Sequence, residues 1–191
     1  MHRRIPPELA RRVRLVALDV DGVLTDNGVY IGRTQAGEAV ELKKFDITDG
    51  IGIGMLRAAG LPVALVSGRE SEATRIRAEE LGIACYQDSS AKKLPALERL
   101  MADHGVDWEH VAFVGDDLAD LAVLCRVGLP VAVANAVPEV KALARWQTRR
   151  RGGDGAVREF AEALLKARGE WSRLVVEYQR SREVVEPNHE R

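Results

Sequence analysis

The stretch LVALDVDGVLTD, residues 15–26, decides the fold of this chain, because an apolar run passes directly into two carboxylates and a glycine. A short, wholly apolar run such as 15–18 is typical of a strand that is buried on both faces of a sheet. Ligands of open α/β sheets bind at the carboxyl ends of the strands, where Asp19 and Asp21 stand. Alternate residues of an extended strand point to opposite faces, so both carboxylates serve one site only if the chain turns through Gly22. Such a pair can hold Mg²⁺, attack a phosphorus atom or move a proton, although a solvated acidic turn gives the same pattern.

Further polar groups follow two other apolar runs and open one helical stretch downstream. Because the carboxyl ends of parallel strands meet at one edge of a sheet, we expect these groups to lie near Asp19 and Asp21. They are Ser67, Gly68 and Arg69 after the run 62–66, Lys92 and Lys93 at the start of a helical stretch, and Asp116, Asp117 and Asp120 after the run 110–114. The sequence therefore predicts one site built from several strand ends.

Strand-like runs and helical patterns alternate along the chain from Leu15 onward. This alternation predicts an α/β fold, a doubly wound parallel sheet with helices on both faces. We predict strands at 14–20, 62–67, 83–86, 110–115 and 129–134 with a weak one at 145–148, and helices at 50–60, 71–81, 91–104, 117–126, 137–144 and 156–169.

The composition of this 191-residue chain favours a single domain with a full hydrophobic core. Its formal net charge of −1 gives no reason to expect nucleic acid or a membrane as a partner. No apolar run is long enough to span a bilayer, and the N-terminus lacks a signal-peptide core. Cys85 and Cys125 lack the spacing of a metal site, so we expect two reduced thiols in a cytoplasmic protein.

The order of these groups resembles that of the haloacid dehalogenase (HAD) superfamily of phosphotransferases: an acidic strand end, a hydroxyl strand end, a lysine and a second acidic strand end. Longer strings resemble its capless sugar-phosphate phosphatases, and within that branch the 3-deoxy-D-manno-octulosonate 8-phosphate (KDO-8-phosphate) phosphatase family. These strings are DVDGVLTD (19–26), LKKFDITDGIGI (42–53), SGR (67–69), GDDLADLAVL (115–124), VAVANA (131–136) and GGDGAVRE (152–159). The resemblance spans residues 15–169 and implies a phosphatase of lipopolysaccharide sugar synthesis.

The resemblance implies that catalysis proceeds through an aspartyl-phosphate. Asp19 is expected to attack phosphorus, and Asp21 to protonate the leaving sugar oxygen and then to deprotonate the attacking water. Ser67 and the amide of Gly68 are expected to bind phosphate oxygens.

The catalytic lysine that the family implies is Lys93, with Lys92 as the alternative. The loop before them carries Asp88 where the family usually has glycine, and it is one residue longer. Lys93 stands directly before a leucine, as the family lysine does, and is therefore preferred.

Mg²⁺ is the cofactor that the resemblance implies, since positive charge must offset the repulsion between a carboxylate and a phosphate dianion. The expected ligands are Asp19, the backbone carbonyl of Asp21, and Asp116, with Asp117 and Asp120 supporting ligands or waters. The alternative for the pair 116–117 is an acidic helix N-terminus that the helix dipole stabilises.

Substrate choice rests on Arg69, which can bind a carboxylate through two hydrogen bonds. KDO-8-phosphate carries such a carboxylate. Related phosphatases of nine-carbon sugar acids tend to have an acidic residue at this point, so a nine-carbon or a broader sugar phosphate is the rival substrate. A non-catalytic HAD-like assembly module is the rival of another class, and intact Asp19, Asp21 and Asp116 argue against it.

The segment 28–45 breaks the strand–helix alternation and predicts an inserted β-hairpin. A lone hairpin is marginally stable in water, and no insertion here is long enough for the cap domain that many HAD phosphatases carry. Both observations favour oligomerisation, and the resemblance implies a homotetramer; Val29, Ile31, Val40 and Leu42 are candidates for the buried face.

We expect residues 1–170 to form the single domain and residues 171–191 to form a C-terminal tail. Helical spacing of Trp171, Leu174, Val175 and Tyr178 predicts that the tail begins as a helix, and the polar stretch 181–191 is expected to be disordered.

Overall fold

The computed structural model describes residues 4–183, which form a six-stranded parallel sheet and a separate two-stranded hairpin. The strands are β1 (Leu15–Leu18), β2 (Tyr30–Arg33), β3 (Ala39–Leu42), β4 (Val63–Ser67), β5 (Ala84–Gln87), β6 (Val111–Gly115), β7 (Leu129–Ala132) and β8 (Trp146–Gln147). The large sheet has the order β5-β4-β1-β6-β7-β8, and all its neighbouring strands are parallel. The expected α/β fold with a doubly wound parallel sheet is therefore confirmed.

Helices cover both faces of the sheet. They are α1 (Pro7–Arg12), α2 (Ile47–Ala58), α3 (Glu72–Leu81), α4 (Lys93–His104), α5 (Leu121–Leu124), α6 (Pro138–Leu143), α7 (Ala156–Arg168) and α8 (Trp171–Arg180). Contacts group α1, α2, α3 and α7 in one layer and α4, α5 and α6 in the other. The sequence pattern missed α1, because six residues are too few to show a helical period. It also predicted one helix at 117–126, where a 3₁₀ turn (Leu118–Asp120) precedes the short α5.

The core lies between the sheet and its helices. Every residue of β1, β4, β6 and β7 is buried, as expected of strands covered on both faces. Helix α7 contributes an apolar stripe with helical spacing, namely Val157, Phe160, Ala161, Leu164 and Leu165. This packing fixes the strand ends at which the polar groups stand.

The hairpin inserted after β1 is present, and its register corrects the face predicted for it. Tyr30 lies opposite Leu42, and Ile31 lies opposite Glu41. Residues directly opposite each other in an antiparallel pair share a face, so Ile31 lies on the face of Glu41 and not with Val40 and Leu42. The predicted grouping of Ile31 with those two residues was wrong, because the sequence alternation does not fix the pairing of the two strands.

The first part of the tail is helical, as α8, and it buries Leu174 against the core. Residues 184–191, most of the stretch expected to be disordered, lie outside the described residues. Cys85 and Cys125 are free thiols. Between residues 4 and 183, no helix is long and apolar enough to cross a membrane.

Candidate active site

Three strand ends place polar side chains side by side at the carboxyl edge of the sheet. Strand β1 lies between β4 and β6, so Asp19 after β1 stands between Ser67 at the end of β4 and Asp116 after β6. The amide of Asp19 still donates to the carbonyl of Val114 at 3.0 Å, which extends the sheet pairing by one residue. All three side chains are buried. These polar side chains therefore form a buried cluster at the edge where the site was expected.

The turn after Asp19 is tightly fixed. The carbonyl of Val20 accepts hydrogen bonds from the amides of Leu24 and Thr25 at 2.9 and 3.0 Å. Gly22 has φ +85°, and a Cβ atom there would lie 2.0 Å from Oδ2 of Asp116. Only glycine permits both this backbone conformation and this close approach, so Gly22 allows the β1 turn and the β6 strand end to meet.

Lys93, and not Lys92, contacts the predicted nucleophile. Its Nζ lies 2.6 Å from Oδ1 of Asp19 and 2.6 Å from Oδ1 of Asp120, and its side chain is buried. Lys92 is exposed and precedes the first residue of α4. Burial disfavours the charged form of Lys93, but the two carboxylates outweigh it and raise the pKa of this ammonium.

Asp120 is a positioning carboxylate. Its Oδ1 accepts from Lys93, and its Oδ2 accepts from the amide of Asp116 at 2.9 Å and that of Asp117 at 3.3 Å. Asp117 is exposed, and its carboxylate accepts from the amide of Leu118 at 2.7 Å, which caps the 3₁₀ turn. Asp120 therefore holds the lysine and the β6 end, whereas Asp117 stabilises the local turn.

The remaining carboxylate oxygens fit a divalent cation. Asp19, Asp116 and Asp120 each bring one oxygen within 4.8 Å of the others. Oδ1 of Asp116 is buried and has no hydrogen-bond partner within residues 4–183. Burial first, and then neighbouring carboxylates, raise the pKa of Asp19 and of Asp116. Three carboxylates with one ammonium leave excess negative charge, which a hard divalent cation such as Mg²⁺ is suited to offset.

The β4 end packs against the lysine loop and carries the predicted substrate-binding residues. A Cβ atom on Gly68 would lie 3.1 Å from Cα of Ala91 and 3.6 Å from Cε of Lys93. Oγ of Ser67 donates to the carbonyl of Arg69 at 3.0 Å and accepts from its amide at 3.1 Å. Gly68 thus stands beside Lys93, and Ser67 fixes the backbone of the turn at Arg69.

Arg69 is paired with a hairpin residue that the sequence analysis did not single out. Its Nη2 donates to the carboxylate of Glu41, while its Nη1 has no hydrogen-bond partner in the part of the chain that the structure describes. Oγ of Ser71 also donates to Glu41. Burial of Glu41 opposes ionisation, but the hydrogen bonds and charges of Ser71 and Arg69 outweigh it and lower the pKa of Glu41. Glu41 therefore fixes the orientation of Arg69, and the Nη1 group of Arg69 has no partner among the described residues.

Two further residues near the site were missed from the sequence. Lys43, directly after β3, places Nζ 2.7 Å from Oδ1 of Asp21. The side chain of Asn135 donates to the carbonyl of Gly22 at 2.9 Å and accepts from the amide of Gly152 at 2.7 Å. The strings that contain Lys43 and Asn135 were part of the resemblance, but nothing in the sequence showed which of their polar residues turn inward.

The sheet order, the paired acidic strand ends and the buried lysine define a haloacid dehalogenase-like hydrolase, and the sequence profile of that family matches residues 88–160. The chain is 40% identical over 158 residues to the 3-deoxy-D-manno-octulosonate 8-phosphate phosphatase KdsC of Yersinia pestis, covering 83% of this chain and 82% of that protein. It is 42% identical over 160 residues to KdsC of Escherichia coli K12, covering 84% and 83%.

A solved structure with a similar fold is 3-deoxy-D-manno-octulosonate 8-phosphate phosphatase from Moraxella catarrhalis, in complex with magnesium ion, phosphate ion and KDO. It superposes with a TM-score of 0.82 at 34% identity, covering 91% of this chain and 97% of that one. Sequence and structure thus agree on the narrower group. The chain belongs to the 3-deoxy-D-manno-octulosonate 8-phosphate phosphatase family.

Proposed function

We propose that this protein is a Mg²⁺-dependent phosphatase that hydrolyses KDO-8-phosphate to KDO and phosphate, a step of lipopolysaccharide sugar synthesis. The observation that carries the proposal is the constellation around Asp19, which ends β1 between Lys93 and Asp116. A carboxylate held by an ammonium beside a cation site suits attack on a phosphate ester. The family to which the chain belongs supports KDO-8-phosphate as the substrate.

In the first step, an oxygen of Asp19 forms a bond to phosphorus while the bond from phosphorus to the sugar oxygen breaks. Asp21 gives its proton to that leaving oxygen, and Lys93 neutralises charge on Asp19 and the phosphate. Ser67 and Gly68 donate hydrogen bonds to phosphate oxygens. Asp19, Asp116 and the backbone carbonyl of Asp21 would hold Mg²⁺, which would supply positive charge against the repulsion between an anionic nucleophile and a dianion.

In the second step, Asp21 removes a proton from a water molecule, whose oxygen attacks the phosphorus of the aspartyl-phosphate. The bond between phosphorus and the Asp19 oxygen breaks, and the carboxylate is regenerated. The same carboxyl group thus acts as acid and then as base, and it ends the cycle protonated as it began.

Arg69 supports the choice of a sugar acid. The substrate KDO-8-phosphate has a carboxylate, and Arg69 offers an Nη1 donor without another partner among the described residues. A guanidinium fixed by Glu41 on one side is pre-oriented for that carboxylate. A neutral hexose phosphate lacks the group, so it would gain nothing from this arginine.

The hairpin supports a homotetramer assembled through residues 28–45. Two large apolar side chains that share its outer face, Tyr30 and Leu42, are 64% and 61% exposed in one chain. Such exposure on a lone hairpin indicates a contact surface for other copies. We place the enzyme in the cytoplasm, which the two free thiols support.

The test is phosphate release from a panel of KDO-8-phosphate, a nine-carbon sugar-acid 9-phosphate and glucose 6-phosphate, each with Mg²⁺ and with EDTA. We expect the highest kcat/KM with KDO-8-phosphate, no turnover in EDTA, and recovery when Mg²⁺ is added back. Asp19→Asn serves as the inactive control. A higher kcat/KM with the nine-carbon ester would show that the nine-carbon sugar acid is the substrate. A folded, metal-loaded protein that hydrolyses none of the three esters would favour the non-catalytic HAD-like assembly module.

A further inference from the structure

A second buried ammonium group, that of Lys43, lies against Asp21. The side chain of Lys43 is 0% exposed, and its Nζ lies 2.7 Å from Oδ1 of Asp21, which is itself 23% exposed. The two groups do not meet the geometry of a hydrogen bond. The attraction between them is therefore chiefly that of opposite charges. Among residues 4–183, Lys43 is the cation that forms an ion pair with Asp21.

Lys43 is itself fixed by two other elements. Its Nζ donates to Oγ1 of Thr74 in α3 at 3.2 Å and lies 3.9 Å from Oε1 of Glu41 in β3. Alternate residues of a strand share a face, which is why Glu41 and Lys43 both point from the hairpin toward the site. A buried lysine is costly unless its charge is paired, so these partners determine where Nζ stands.

Each carboxylate of the DVD string thus has its own buried lysine: Lys93 for Asp19, and Lys43 for Asp21. The two lysines belong to different elements: Lys93 begins α4, and Lys43 directly follows β3 of the hairpin. Lys93 contacts the predicted nucleophile Asp19, whereas Lys43 contacts the group expected to handle the proton. This difference in position indicates a difference in role.

We propose that Lys43 is a positioning residue for Asp21 and that the hairpin is therefore part of the catalytic centre. Lys43 holds the carboxyl group of Asp21 where its proton passes to the leaving sugar oxygen, and later where it takes a proton from water. Lys43 keeps its own charge and protons throughout, so it takes no part in the transfer. This inference rests on the phosphatase function proposed above.

The steady-state test compares Lys43→Met with Lys44→Met. Lys44 is the next residue and is exposed, so it gives a matched control. With KDO-8-phosphate we expect kcat of Lys43→Met to fall about 100- to 10,000-fold, the range for losing a general acid–base group. KM should stay within about threefold of the wild type, because the side chain of Lys43 is 0% exposed and therefore out of reach of a ligand. Lys44→Met should match the wild type, and a Lys43→Met enzyme with wild-type kcat would overturn the proposal.

A pre-steady-state test separates positioning from a general collapse of the site. The ester is p-nitrophenyl phosphate, whose leaving group departs without protonation, so the first step needs no acid. Lys43→Met should then release about one nitrophenol per active site in a burst and stall, because activation of water still requires Asp21. A folded Lys43→Met protein with neither a burst nor turnover of the sugar ester would show a general structural role and overturn the proposal.

Removing Lys43 leaves the partly buried carboxylate of Asp21 without its ion-pair partner, so folding is checked by thermal unfolding and Lys43→Arg is made in parallel. The arginine keeps the charge, and we expect a folded enzyme with a nitrophenol burst and kcat about tenfold below the wild type. A folded Lys43→Arg protein without the burst would overturn the inference. Failure confined to Lys43 variants leaves the phosphatase function intact, whereas a wild-type protein inactive on both esters would overturn both.

Discussion

At the scale of single residues, Gly22 approaches Asp116 so closely that no side chain fits between them. A Cβ atom at Gly22 would lie 2.0 Å from Oδ2 of Asp116, and the φ of +85° is unfavourable for any other residue. We expect Gly22→Ala to lose metal affinity and most activity, and to be destabilised by about 2 kcal/mol or more.

Urea unfolding and Mg²⁺ titration of activity measure the effect of Gly22→Ala. The control is Gly54→Ala in α2, where a Cβ atom meets nothing within 4 Å. Alanine in an open helix position should stabilise the protein by about 0.5–1 kcal/mol. Wild-type stability and Mg²⁺ affinity in Gly22→Ala would contradict this account of the turn.

The two adjacent lysines before Leu94 give a second residue-scale prediction. Only Lys93 contacts Asp19, at 2.6 Å, while Lys92 is exposed. We expect Lys93→Met to lower kcat about 100- to 1,000-fold, the usual cost of a lost electrostatic donor, and Lys92→Met to leave it unchanged. Phosphate release with KDO-8-phosphate decides the matter, and equal losses in the two variants would show that the loop 88–92 rearranges in solution.

Among single residues, those whose position follows from the end of a strand could be predicted from the sequence. Asp19 and Asp116 follow buried apolar runs, and the order of those runs in an α/β sheet brings them together. Lys43 and Glu41 could not be predicted as site residues, because their approach to Asp21 and Arg69 depends on how the hairpin folds back. A sequence shows which face two residues share, but not what that face meets.

At the scale of elements, a buried carboxylate joins α2 to the start of α7. Oδ1 of Asp49 accepts from the amide of Arg158 at 2.7 Å, and Oδ2 is buried without a hydrogen-bond partner among residues 4–183. Burial raises the pKa of Asp49 to about 7, although the backbone amides of α7 oppose the shift. The folded protein therefore binds this proton more tightly than the unfolded chain does.

The sign of the resulting pH dependence follows from linkage. Below the unfolded pKa, Asp49 is protonated in both states and its stabilising contribution is complete. As the pH rises, the unfolded chain releases the proton first, so stability declines until the pH passes about 7, the folded pKa. The side chain of Asp49→Asn can still accept a hydrogen bond from the Arg158 amide, but it does not titrate. We therefore expect this variant to lose less stability than the wild type as the pH rises.

Urea unfolding at pH 5 and pH 8 checks the prediction for Asp49, with saturating Mg²⁺ to keep Asp19 and Asp116 ionised in the folded state. The wild type should lose more stability than Asp49→Asn between the two pH values. Parallel pH dependence in the two proteins would show that Asp49 titrates normally in the fold.

The accuracy of the element predictions followed the strength of the local pattern. The buried parallel strands are apolar runs, and each predicted strand matches an observed one to within a few residues. Helix α1 has six residues and shows no period, so it was missed. The hairpin was expected from its alternation, but placing Ile31 opposite Glu41 requires the register, which the turn and packing decide.

At the scale of the whole molecule, the active site is a meeting point of the sheet and the inserted hairpin. The sheet supplies Asp19, Ser67 and Asp116 at three adjacent strand ends, and the hairpin supplies Glu41 and Lys43. The hairpin thus has one face toward the site, while Tyr30, Val40 and Leu42 lie on the opposite face. A partner that packed on that outer face would contact the same hairpin that carries Lys43.

The outer face of the hairpin is also the surface through which we expect copies of the chain to assemble. If copies of the chain pack through Tyr30 and Leu42, Tyr30→Asp buries an unpaired charge in the contact and should dissociate the tetramer. The dissociated protein should lose most of its activity although Tyr30 touches no catalytic group, because the hairpin that carries Lys43 loses its support. Val176→Asp on α8, an exposed apolar residue away from the hairpin, is the control and should stay assembled and active. Light scattering at micromolar concentration measures the mass, and a fully active wild-type protein with the mass of one 21.0 kDa chain would show that the hairpin needs no neighbour.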